Sequence, residues 1–274
     1  MIFNWIENDS LRREEQLMNV LYDCGMATFE QLKIITGWKE RNLREHISTL
    51  QKRNKRDAID QDEQPWIQVH YAARLLHGSK KAAIYTLGKS GMLHVHQIRE
   101  DDRKIRETPL GQMVHFFKTN EILVRALKAF DRKFIRWYSS YEATDLLIIA
   151  WNQKAKGQKL DRRNAIRPDG RLVIQDQSYY IEFDNGTEGP RQLERKFHGY
   201  VEMMEVIQDT TPIIWVTNDS KRMNYLIRNW EALKKISYAD RSVPQMHFFV
   251  EGDETKLFTE LHGKTVPPSL RRAE

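Results

Sequence analysis

From residue 134 onward the chain alternates β-rich runs with amphipathic helical stretches, and no other feature narrows its possible folds as far. Residues 134–141, 164–174 and 178–183 read as strands, 190–206 as a helix, 212–217 as a strand, 220–235 as a helix and 245–250 as a strand. A helix set between two strands carries the chain back to the same sheet, so this half predicts a mixed sheet with helices packed on it. A long helix precedes it. Pro109 opens the pattern, and Met113, Phe116, Leu123, Leu127 and Phe130 follow a 3.6 period, with Asn120 inside the apolar stripe and Glu121 beside it.

Upstream, Leu17, Val20, Leu21 and Cys24 stand at helical spacing within residues 11–24, and Gly25 suits a C-terminal cap. Thr28, with Gln31 three residues on, predicts the start of a short second helix that carries Leu32 and Ile35 and stops at Gly37. A third helix from residue 38 or 39 turns Leu43, Ile47 and Leu50 inward and leaves Lys39, Arg41, Asn42, Arg44 and His46 outward. After a polar stretch, residues 66–76 and 82–87 read as a hairpin around His77-Gly78-Ser79, with Lys80 and Lys81 on this wing. Three short helices and a two-stranded wing are the element order of a winged helix-turn-helix, whose third helix enters the major groove of DNA. A small helical cap domain has the same order. Residues 99–107 then hold eight charges in nine positions. The predicted organisation is therefore a winged helix-turn-helix over 1–98, a charged linker over 99–107 and a second domain over 108–274.

With 274 residues, 40% of them hydrophobic, the chain can build one large core or two modest ones, and 13 Gly and 8 Pro are too few for a fibrous or low-complexity protein. Its 44 Lys and Arg against 38 Asp and Glu leave a net charge of +6, which is clustered. Residues 39–56 and 151–173 each hold seven cations against two acids, a distribution suited to an anionic partner such as nucleic acid, though also to an ordinary solvated face. Cys24 is the single cysteine and excludes an internal disulfide. The opening MIFNWIENDS has no basic segment followed by an apolar run, and no 18-residue apolar stretch occurs, so a cytoplasmic location and no membrane partner are expected.

The chemistry concentrates in residues 166–200. An Arg-Pro-Asp-Gly turn at Arg167 to Gly170 precedes a strand ending Ile181-Glu182-Phe183-Asp184, and a helix bearing Lys196 follows. Side chains alternate along a strand, so Glu182 and Asp184 share one face while Ile181 and Phe183 take the other. Carboxylates gathered with Asp169 repel one another unless a cation joins them, and such hard oxygen donors suit Mg²⁺ or Mn²⁺ better than zinc. Each residue also has a plain structural role open to it: Asp169 as a turn residue, Asp184 as a turn acid before Asn-Gly, Lys196 as an outward residue of an amphipathic helix. Glu182 is the exception, because an unpaired carboxylate in a central strand costs several kcal/mol.

Two other motifs carry nothing. His94-Val95-His96 has the form of the metal pair of rolling-circle nickases, but residues 90–98 read as the helix after the wing, where the two rings cannot project together. Leu87-Gly88-Lys89-Ser90 ends like a phosphate loop, but Ala83 stands where the earlier glycine is needed.

The 166–200 stretch resembles the PD-(D/E)xK nuclease superfamily, whose core is a helix, three strands, a helix and a strand, with Pro-Asp before a hairpin and Glu-x-Lys on the next strand. Pro168-Asp169, twelve intervening residues and Glu182 match that pattern, while Asp184 occupies the position of the lysine. The resemblance implies that Lys196 supplies the missing ammonium and that Glu121 matches the helix acid many members add. Taken with the N-terminal half, the segments RPDG and IEFDNGTE followed by Lys196 and Tyr200 are similar to the replication-relaxation family of bacterial plasmid and mobile-element proteins over most of the chain. That family implies double-stranded DNA binding and a role in starting plasmid replication or relaxing plasmid DNA.

The expectation is an α+β protein, with a winged helix-turn-helix followed by a restriction-endonuclease-like α/β domain with a mixed sheet. Asp169 and Glu182 would hold Mg²⁺ or Mn²⁺, Asp184 and Glu121 would assist them, and Lys196 would support the charge developing during phosphodiester cleavage. Lys39, Arg41, Asn42, Arg44, His46, Lys80 and Lys81 would contact the duplex. A second copy of the chain and a replication helicase stand as further partners. The alternative is a non-catalytic DNA-binding initiator or transcriptional regulator that keeps the nuclease-like fold as a DNA or dimer platform.

Overall fold

Capping residues set where the helices of the N-terminal half begin and end. In a computed structural model, which describes residues 1–57, 64–72, 82–105, 107–155, 157 and 159–263, helix α1 spans Ile2–Ile6 and α2 Arg13–Cys24, and α2 ends at Gly25 with a positive φ of 67°. Strand β1 (Ala27–Thr28) leads into α3 (Phe29–Thr36), where the Thr28 hydroxyl accepts from the Gln31 amide and the Gln31 side chain accepts from the Thr28 amide. Gly37, left-handed at φ 70°, ends α3, and α4 (Glu40–Asp57) follows after two residues. Strands β2 (Ile67–Ala72) and β3 (Ala82–Leu87) pair antiparallel, so the predicted hairpin forms, and β1 adds a third strand to give the order β1-β3-β2. The hairpin's turn, with Lys80 and Lys81, lies outside the described residues. Leu17, Leu21, Leu32, Ile35, Leu43, Ile47, Leu50 and Ile84 are the core of this part.

Helix α5 (Lys89–Arg99) carries His94 and His96 apart, as expected of residues two apart on a helix. His94 lies 3.1 Å from the Glu15 carboxylate and His96 3.2 Å from the Tyr22 hydroxyl. Arg99 anchors this helix to α2 through Asp23 (2.7 Å) and Asn19 (2.7 Å), with its guanidinium over the rings of Trp5 and Tyr22.

The chain divides into two compact units, Met1–Val124 and Arg125–Glu274. That boundary falls inside α6 (Met113–Ala129), beyond the charged stretch at 99–107. The first turns of α6 complete the N-terminal unit. Asn120, the polar residue in the apolar stripe, donates to the Met26 carbonyl (2.6 Å) and the Cys24 carbonyl (3.3 Å), and Gln31 donates to the Phe117 carbonyl (2.9 Å). Buried carbonyls at the turn after α2 require such donors, and this local need moves the boundary.

In the second unit β4 (Ile135–Ser139), α7 (Ser140–Lys154), β5 (Gly170–Ile174), β6 (Gln177–Asp184), α8 (Pro190–Ile207), β7 (Ile213–Thr217), α9 (Ser220–Ser237), β8 (Met246–Val250) and α10 (Glu254–His262) follow in order. They form a sheet of order β4-β5-β6-β7-β8, antiparallel from β4 to β6 and parallel from β6 to β8. The molecule is an α+β protein with a mixed sheet. Strand β4 stops at Ser139 instead of residue 141 because Ser139 caps α7, its amide donating to Glu142 at 3.0 Å. Helix α7 is unexpected: the run Leu146 to Trp151 is apolar without a 3.6 period, and only the Ser139/Glu142 pair announces it. Strand β5 begins at Gly170 and not at residue 164, where Asn164 and Ala165 instead turn back onto the Asp161 carbonyl.

Candidate active site

Strand β6 is central, and its residues 179–184 are all buried. In register with β7, Glu182 sits beside Trp215, on the face covered by Leu193, Phe197, Tyr200 and Val201 of α8. Gly189 and Pro190 start that helix, and its 3.6 period sets Lys196 and Tyr200, four residues apart, on one side.

Both reach Glu182. The Lys196 Nζ lies 2.7 Å from Glu182 Oε2, and the Tyr200 hydroxyl donates to Oε1. Lys196 is also 3.6 Å from Glu188 Oε1 and 5.1 Å from the centre of the Trp215 ring. Asp169 stands just before β5, where its amide donates to the Ile181 carbonyl (2.9 Å) and its Oδ2 accepts from the Phe183 amide (2.7 Å). It is thereby fixed across the strand from Glu182, whose ionisation its charge opposes.

Burial pushes the Glu182 carboxyl up to about 8 in spite of the Lys196 ammonium, with Asp169 adding to the rise. Burial also disfavours the Lys196 ammonium, but Glu182, Asp169 and Glu188 outweigh it and hold that charge well above its usual range. Tyr200 is pushed far up by burial and by the Glu182 charge, so it serves as a hydroxyl donor, not as a phenolate.

Other expected residues have partners of their own. Asp184 accepts from the Gly186 amide (2.9 Å) and pairs with Arg222 of α9 at 2.5 and 3.1 Å, so its charge is already met. Glu121 belongs to the N-terminal unit and accepts from the Gln31 side chain at 2.7 Å. Among the described residues no three His, Cys, Asp or Glu side chains form a ready-made metal site. Lys39, just before α4, and Arg41 and Asn42 on it are exposed; Arg44 is exposed but bound to Glu40 (2.7 Å) and stacked over Phe29 (4.3 Å to the ring centre). His46 does not face outward: it is half-buried and lies 2.9 Å from Glu14 of α2, because the α2–α4 packing encloses that side of the helix.

Sequence reasoning gave Tyr200 no place in the site, although its spacing of four from Lys196 on a helix was the available signal. Glu188 closes the IEFDNGTE segment but was given no role there, and Arg222 was missed altogether. Arg222 had no signal, since it lies 38 residues from Asp184.

Fold and cluster together define an α+β protein whose mixed sheet buries an acid–lysine–tyrosine group on its central strand. The chain belongs to the replication-relaxation family, whose model matches residues 18–216, from α2 through β7 and across every member of the cluster. Membership associates it with plasmid replication and relaxation. Comparison with curated proteins and with solved structures returns no match. Among the described residues no helix is long and apolar enough to cross a membrane.

Proposed function

We propose that this chain binds double-stranded DNA through α4 and the β2–β3 wing and cleaves or nicks a phosphodiester at Asp169, Glu182 and Lys196. The observation that carries the reading is the 2.7 Å approach of Lys196 to Glu182 across from Asp169. It supplies, from α8, the ammonium that Asp184 cannot supply from the strand. The order α6, β4, β5, β6, α8, β7 follows the helix, three strands, helix, strand plan of PD-(D/E)xK nucleases, with α7 as an insertion. For the first unit, α2, α3 and α4, the two-residue step after Gly37 and the β2–β3 hairpin support the winged helix-turn-helix reading.

The donor set fits Mg²⁺ or Mn²⁺. Three carboxylates, Asp169, Glu182 and Glu188, face a single ammonium, and one Glu188 oxygen is shut from solvent without a hydrogen-bond donor. Mg²⁺ is often held by only one or two carboxylates and keeps several waters, so Asp169 and Glu182 would suffice. Such an ion supplies an activated water and neutralises developing charge. Lys196, kept charged, stabilises the phosphate's negative oxygens, and Tyr200 orients Glu182 by its hydrogen bond.

Incubating the protein with supercoiled plasmid carrying its own origin tests this directly. Conversion to open circle with Mg²⁺ or Mn²⁺, absent with EDTA and with Glu182→Gln, is the expected result. No conversion would favour the second reading, a DNA-binding initiator or regulator, which the closed Asp184–Arg222 pair supports. DNA contact has its own test. Arg41→Ala is expected to cost about 1–3 kcal/mol on cognate duplex if Arg41 reads a guanine, and less on random DNA. Equal losses on both would reduce Arg41 to a phosphate contact, and no loss on either would remove α4 from the interface.

A further inference from the structure

Lys196 stands between two carboxylates, each with one buried oxygen that receives no hydrogen bond, and it lies nearer to Glu182 than to Glu188. Its Nζ is 2.7 Å from Glu182 and 3.6 Å from Glu188, and the second Glu188 oxygen is buried without a hydrogen-bond donor. A shielded carboxylate oxygen left in that state is costly, so it acts as a vacant acceptor beside a mobile four-carbon donor. Glu188 is also held in place. Its backbone carbonyl accepts from Arg222 Nη2 (2.8 Å), while the Nε of the same guanidinium holds Asp184 at the end of β6. Arg222 thus ties the β6–α8 loop to α9 and presents Glu188 to Lys196.

We propose that Glu188 is a positioning residue: it receives the Lys196 ammonium when Glu182 turns an oxygen to a divalent cation. The inference rests on the metal-binding reading above. In the described arrangement Glu182 Oε1 accepts from Tyr200, while Oε2 is ion-paired with Lys196 without a hydrogen bond. A cation therefore has to compete with the ammonium for Oε2. A second carboxylate within reach lowers that cost, because the lysine exchanges one ion pair for another inside the same partly buried site and is never left unpaired. The ammonium remains in the site, available to a phosphate. Asp184 cannot take this part, being closed by Arg222.

Mn²⁺ affinity, measured by calorimetry on the full-length chain without DNA, tests it. Glu188→Gln is expected to weaken Mn²⁺ binding by about tenfold, the loss of one nearby compensating charge, and Glu188→Asp to recover most of it. In a Lys196→Met background, where no ammonium competes, Glu188→Gln should change the affinity by less than about twofold. That coupling separates positioning from a merely structural role, and Glu188→Ala substitutes should the glutamine variant melt early without metal. Tight wild-type binding that Glu188→Gln leaves unchanged overturns the role of Glu188 while the metal reading stands. An equal loss in both backgrounds would make Glu188 a direct ligand, against the proposal. A wild type that binds no Mn²⁺ overturns the metal reading and this inference together.

Discussion

Glu182→Gln is expected to gain stability relative to the wild type as pH rises from about 4.5 to about 8. Fully enclosed on the central strand, Glu182 titrates in the folded chain near 8, whereas its ordinary value is 4.5. Between those values the folded protein holds a proton that the unfolded chain has released. Stability from this group is therefore complete below the unfolded value, declines as pH rises, and is lost above the folded value, with a slope of up to about 1.4 kcal/mol per pH unit. Glutamine does not titrate, so the wild-type advantage should shrink across that window and reverse toward its upper end. Urea unfolding at pH 5, 6.5 and 8, followed by tryptophan emission from the second unit, measures it. A difference that stays flat across those three values would mean that Lys196 keeps Glu182 ionised throughout and that the ion pair prevails over burial.

Phe197→Ala is expected to lose about 3–5 kcal/mol of stability in the second unit, the usual cost of emptying an aromatic site in a close-packed core. The ring is wholly buried, with its centre 5.1 Å from that of Trp215 and 5.4 Å from that of Trp230. Sheet and helix layers meet there, and few neighbours can move into the space. Since Phe197 follows Lys196 on α8 and packs on Trp215, which pairs with Glu182, the cavity should also loosen the hold on the carboxylate. A loss under about 1 kcal/mol by urea unfolding would show that α8 can close over the gap, and that this core does not set the position of Lys196.

The outcomes at Asp184 and Glu182 differ for a reason that lies in distance along the chain. Lys196 and Tyr200 are 14 and 18 residues from Glu182, on the helix that must cross back over the sheet, so their approach follows from the strand–helix–strand pattern. Arg222 reaches Asp184 from the next helix, and only the docking of α9 at the end of β6 brings it there. His46 shows the same limit on α4: the helical period places it outward, and the packing of Glu14 of α2 against it encloses it instead.

By itself the sequence determined what local chemistry can determine. Thr28 with Gln31, Gly37 and Pro190 mark helix ends through hydrogen bonds and backbone angles made within a few residues, and the apolar flanks of Glu182 require that carboxylate to find a partner. The tertiary structure alone decided the rest: that α6 belongs in part to the first unit, that a weakly periodic run becomes α7, and that Asp184 spends its charge on Arg222 while Glu182 keeps Lys196. Those outcomes depend on which surfaces meet when helices dock on a sheet. The energy of such meetings comes from burial and pairing between residues far apart in the chain, and no short-range pattern records it.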